Sequence, residues 1–128
     1  MGPLVRPAQL ADGSVEVSID PARFHSVFAA DVADVDAAFI AVSQRPVSAA
    51  AFDDPATAAA WRTKPSWAVF GTADYPVAPE LHRFSYDRAG STVTEVEGAS
   101  HFLMLSQPDI VASVIREAVT ATAVNRAA

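Results

Sequence analysis

Two side chains, each at the end of a short apolar run, carry the chemistry legible in this chain. Asp74 closes the stretch 65–74, PSWAVFGTAD, and His101 closes the stretch 92–101, TVTEVEGASH, with a helix-length insert between them. A carboxylate that fixes the tautomer of an imidazole, and an imidazole that takes the proton of a hydroxyl, are the acid and base of a Ser/His/Asp acyl-transfer relay. Acid before histidine, each on the loop after a strand-like run, is one of the chain orders in which such relays occur.

The hydroxyl is what the sequence lacks. A nucleophilic serine on a sharp strand-to-helix turn needs glycines four apart, G-x-S-x-G, because a side chain at either place would clash. The five glycines stand at positions 2, 13, 71, 90 and 98, and no two of them are four apart. The Gly-rich oxyanion motif, G-x-G-x-x-G and the P-loop are missing for the same reason. Ser100 adjoins His101, but neighbouring side chains of an extended segment diverge. Ser66 and Ser106 fall at element boundaries, where capping accounts for them.

Composition sets the frame. The 128 residues are 51% apolar and 19% charged, with 9 Lys+Arg against 15 Asp+Glu for a formal charge of −6. This suits a single domain. An acidic chain without a basic cluster offers phosphate backbones no attractive surface, so nucleic acid is not an expected partner. The absence of cysteine removes disulfide and thiolate chemistry. His25, His82 and His101 lack the i, i+4 spacing of a helical zinc site, so neither metal nor cofactor is expected. No window approaches the roughly 18 consecutive apolar residues of a membrane span, and the first residues lack the h-region of a secretory leader. A cytoplasmic location with no membrane partner is the expectation.

Three regions must position the pair. Residues 1–19 alternate only over Val15–Ile19 and read as an arm or small hairpin. Residues 20–64 read as short helices. Asp20 and Pro21 start one through about Ala30, with Phe24, Val27 and Phe28 on one face and His25 as a packing residue. Another covers Val35–Gln44 ahead of Pro46. The Ala-rich stretch 49–61, broken at Asp53, Asp54 and Pro55, reads as a short helix, a turn and a second helix.

Over residues 65–128 the pattern changes to strand, helix, strand, helix. Trp67–Phe70 is continuously apolar, as in a parallel strand buried on both faces. Pro79 opens a helix that stops at Gly90, with Leu81, Phe84 and Tyr86 packing inward and His82 on the solvated side. Ser91–Val96 forms the second strand, and Ile110, Val111, Val114, Ile115 and Ala118 make the stripe of the last helix.

Pro65–Trp67 with Gly71–Asp74, Pro79–Leu81 with Arg88–Gly90, and Gly98–His101 with Met104–Asp109 resemble blocks of the C-terminal part of small, esterase-like α/β-hydrolases. The stretches 20–25, 28–31 and 44–46 resemble the helical cap inserted before the strand that bears the catalytic acid. The resemblance covers roughly residues 15–120. It implies a partial α/β-hydrolase fold, an α/β single domain over 1–128 with a helical cap followed by strand-helix-strand-helix. It makes Asp74 the orienting acid and His101 the general base, and sets Trp61 and Phe102 against the substrate. One departure stands out: the family usually follows the acid with a basic residue, whereas Tyr75 and Pro76 follow Asp74 here.

Two functions follow as expectations. The chain is either the C-terminal portion of a truncated ester hydrolase, inactive alone and needing a complementary half to bring the serine to a small-molecule ester, or a non-catalytic remnant that self-associates or binds a small apolar ligand. An apolar strand edge left without a neighbour invites pairing with another copy, so a homodimer is expected.

Overall fold

The structure, a computed structural model, describes residues 4–124. Strands β1 (Val5–Gln9) and β2 (Val15–Ile19) form an antiparallel hairpin with Val5 opposite Ile19. Its turn rests on Gly13, whose φ of 86° lies in the left-handed region open to glycine. Strand β3 (Val47–Ser48) pairs with the other edge of β2.

Helices α1 (Pro21–Phe28) and α2 (Asp34–Val42) pack beside this sheet. The Asp20 carboxylate accepts from the Ala22 N–H at 3.1 Å and Pro21 takes the first position, where its missing N–H costs nothing. Between the helices Phe24, Ala29, Val32, Ala37 and Ala41 are buried. Alanines on the inward side let α2 approach closely. The Gln44 amide ties the end of α2 to β2: Nε2 donates to the carbonyls of Ile19 (2.9 Å) and Ala41 (2.7 Å), and Oε1 accepts from the Ile19 N–H (2.8 Å). The two helices expected in 49–61 are only single 3-10 turns, Ala49–Phe52 and Ala60–Arg62, with no buried residue in either. Alanine propensity does not sustain so short a helix without an apolar face to bury.

The remainder is a βαβ unit with a further helix. Strand β4 (Trp67–Gly71) runs parallel to β5 (Thr92–Val96), with Trp67 opposite Thr92 and Gly71 opposite Val96. Helix α3 (Pro79–Ala89) connects them and ends at Gly90 in the left-handed conformation, φ 64°. A short α4 (Leu103–Ser106) leads into α5 (Pro108–Val124). Side chains alternate along β4, so Phe70 meets Tyr86 of α3 while Val69, like Ile110 and Val111 of α5, packs against the buried cluster of Val96, Ala99 and Leu103. Trp67 Nε1 donates to Glu117 of α5 at 3.1 Å.

The inward face of α3 differs from the expected one. Leu81 and Phe84 are exposed, and His82 with Tyr86, one turn apart, face β4. A polar partner decides this, as the site makes clear. Among the described residues β5 is the only strand beside β4.

Candidate active site

The loops leaving the C-terminal ends of β4 and β5 lie against each other, and Gly71 makes the approach possible. A Cβ at Gly71 would stand 2.0 Å from the Ala99 carbonyl oxygen, which no side chain tolerates. Three bonds join the loops: Thr72 N–H to Val96 O (3.0 Å), Ala73 N–H to Ala99 O (3.0 Å) and Gly98 N–H to Thr72 Oγ1 (2.8 Å). The last residues of this junction are Asp74 and His101.

The Asp74 side chain is 3% exposed and accepts three hydrogen bonds. Oδ1 takes the Val77 N–H at 3.0 Å, closing a turn of the loop, while Oδ2 takes His101 Nδ1 at 2.8 Å and His82 Nε2 at 3.0 Å. Burial raises the cost of the charge, but the Val77 amide and the two imidazoles outweigh it and hold the carboxyl below its ordinary value. An ionised carboxylate only accepts, so both of these ring nitrogens carry protons. Nε2 of a neutral His101 is then a lone-pair acceptor, and none of the described residues takes it. The ring is 35% exposed and meets the edge of Phe28 at 5.5 Å.

Anchors from the N-terminal region hold the histidine loop. Ser100, 1% exposed, donates from Oγ to Asp31 Oδ1, and Ser106 Oγ donates to Asp31 Oδ2 at 2.6 Å. Burial opposes ionisation of Asp31, yet these two hydroxyls pull its carboxyl below the ordinary range. The Phe102 N–H donates to the Phe28 carbonyl at 2.9 Å.

Of the sequence-predicted residues, Asp74 and His101 are brought together. Phe102 follows on the same loop, its ring 6.2 Å from that of His101 and edge-on to Phe24 at 5.2 Å. Trp61 does not line the cleft that holds the pair; the guanidinium groups of Arg62 and Arg88 sit 5.3 and 5.6 Å from its ring. Sequence reasoning missed Asp31 and His82. A histidine one turn into the helix that follows the acid's loop was a usable signal for the second, while Asp31, 69 residues from Ser100, had none.

The pair lines one cleft, and a second opens on Phe28, whose ring meets that of His101. One, of about 230 Å³, is lined by Asp74, His82 and His101 with Phe70, Leu103 and Met104. The other, of about 610 Å³, is mainly apolar and lies beyond Phe28, with Val17, Ile19, Val47, Phe52 and Pro76 in its walls. Among the described residues no group of three His, Asp or Glu side chains is placed to hold a metal, and no helix is long and apolar enough to cross a membrane.

The profile of the Alpha/beta hydrolase family matches residues 2–114. The chain belongs to the alpha/beta hydrolase family. Ten solved chains are similar to this one. One, a crystal structure of a polyneuridine aldehyde esterase mutant, has 16% sequence identity and a TM-score of 0.70, over 88% of this chain and 47% of that one. The chain thus spans about half the length of that esterase and has a partial α/β-hydrolase fold. No curated protein matches it significantly.

Proposed function

We propose that this chain is the acid- and histidine-bearing portion of a carboxylic-ester hydrolase of the Ser/His/Asp type, with the serine supplied by a complementary half. The observation that carries this reading is the 2.8 Å contact of His101 Nδ1 with the buried, ionised Asp74, which leaves Nε2 as the base. In the assembled site Nε2 takes the proton of the serine hydroxyl as its oxygen attacks the ester carbonyl. His101 then returns that proton to the leaving alcohol, and water repeats the sequence on the acyl-enzyme. Asp74 stays ionised throughout, fixing the Nδ1–H tautomer and stabilising the imidazolium. The oxyanion donors, like the serine, belong to the missing half, since this chain has no Gly-rich motif for them. The apolar cleft beyond Phe28 suits the acyl or alcohol group of a small apolar ester.

The test is turnover of a short p-nitrophenyl ester by the chain alone and with the serine-bearing N-terminal half of a family member. Hydrolysis is expected only in the mixture, with a fluorophosphonate probe labelling the added half. Labelling of this chain by itself would overturn the reading.

A second reading, a non-catalytic module that pairs with its own copy, draws on one observation. Ile115 and Val119 of α5 are 58% and 61% exposed, and beside them a cleft of about 460 Å³ runs along Trp67 and Val69 of β4. Sedimentation as a dimer at micromolar concentration supports it, and a clean monomer removes it.

A further inference from the structure

His82 is a partly buried titratable group that the relay does not need. Its side chain is 12% exposed, and its ring stacks on Phe70 (centroids 4.8 Å apart, 25° between planes) and on Tyr86 (5.5 Å, 17°). The three rings form one cluster, with Phe70 and Tyr86 themselves 5.8 Å apart, and from it His82 Nε2 reaches Asp74 Oδ2 at 3.0 Å. His101 uses the same oxygen, at 2.8 Å, while the other oxygen is held by the Val77 N–H. Arg83, the next residue of α3, is committed to Glu95 through bonds of 2.9 and 2.6 Å, so its charge is answered on β5 rather than at the carboxylate.

Two donors on one carboxylate oxygen compete: even on separate lone pairs they share the oxygen's negative charge, so each bond is weaker than it would be alone. We infer that His82 is a positioning residue for the relay, which fixes the rotamer of the Asp74 carboxylate and moderates the strength of its hydrogen bond to His101. The inference rests on the proposed relay for its catalytic meaning, but the bond competition is a property of this chain by itself. An amide can replace the imidazole in this role. Glutamine at position 82 carries an N–H donor on a side chain of similar reach, with no charge to gain, whereas phenylalanine fills the place of the ring beside Phe70 and Tyr86 and donates nothing.

The experiment is proton and nitrogen NMR of the 128-residue chain, read at the Nδ1–H of His101 and the Nε2–H of His82, in the unmodified protein, H82Q and H82F. In the unmodified protein the His82 proton is expected on Nε2 and slow to exchange with water. In H82F the Nδ1–H resonance of His101 moves downfield, as its bond to Oδ2 is no longer shared, and in H82Q it stays near its original position. A His82 ring protonated on Nδ1, with Nε2 open to solvent, overturns the inference without any variant. An unmoved His101 resonance in folded H82F also overturns it. These readouts need no serine and no turnover, so a failed esterase assay with an intact NMR result would remove the relay reading and leave the coupling standing.

Discussion

The N-terminal region, residues 4–64, and the βαβ unit after it solve the burial problem in opposite ways. In the first, the inward side of α2 is alanine while Val35, Phe39 and Val42 are 75%, 70% and 74% exposed, so the larger apolar side chains face out. Its core is closed by Phe24 together with Val32 and small residues that let backbones meet. In the second, β4 is covered on both faces by α3 and α5, but one strand edge and the outer stripe of α5 have no neighbour among the described residues. The acid and the histidine both belong to the second unit, yet the loop that carries His101 is anchored by Asp31 and the Phe28 carbonyl of the first. Chemistry and alignment therefore reside in different regions, and the seam between them is where the pair is set.

Substitutions separate the two. The largest loss is expected for Phe24→Ala, about 3–5 kcal/mol by the usual cost of deleting a core aromatic, because Phe24 stacks on Phe28 and meets Phe102 edge-on. Chemical denaturation followed by circular dichroism gives the figure; a change under 1 kcal/mol would mean that the N-terminal core contributes little. Gly71→Ala comes next, at about 1–3 kcal/mol for overpacking, and it should also weaken the His101 contact with Asp74, as the added methyl drives the Ala99 carbonyl away. Asp31→Ala is expected to cost about 1–2 kcal/mol, since it leaves the buried Ser100 hydroxyl without its acceptor. An unchanged melt in that variant would show that the seam does not hold the loop.

Acid sharpens the same contrast. The folded carboxyls of Asp74 and Asp31 both lie below their ordinary value of 3.8, so the unfolded chain binds protons first as the pH falls. Their contribution is complete above the unfolded value and is lost as the pH drops through the folded ones. Asp74→Asn should therefore flatten the fall in stability below about pH 4, measured by thermal melts across the acid range. Arg83→Ala, which removes an exposed pair with Glu95, should leave the melt unchanged within error.

Legibility followed the same division. Pro79, Gly90 and Pro108 are hard stops, and the apolar run at 67–70 has few alternatives to a strand, so the order and nearly the bounds of the βαβ unit could be read directly. Alanine-rich segments gave no such purchase. They fit a helix, a 3-10 turn or a close contact equally well, which is why 49–61 was assigned helices it does not form and why β3 went unforeseen. The facing of α3 was misjudged for a related reason: hydrophobicity alone turns Leu81 and Phe84 inward, while a hydrogen bond to Asp74 and two stacked rings turn His82 inward instead. Asp74 and His101 were visible because each ends a strand run. Asp31 was not, because only the folded chain brings it to Ser100 and Ser106.

The decisive measurement is kcat for p-nitrophenyl ester hydrolysis by the reconstituted enzyme, with this chain either unmodified or carrying His101→Ala. The account predicts a fall on the order of 10⁶-fold on losing the base. Turnover that persists undiminished in the variant would contradict it.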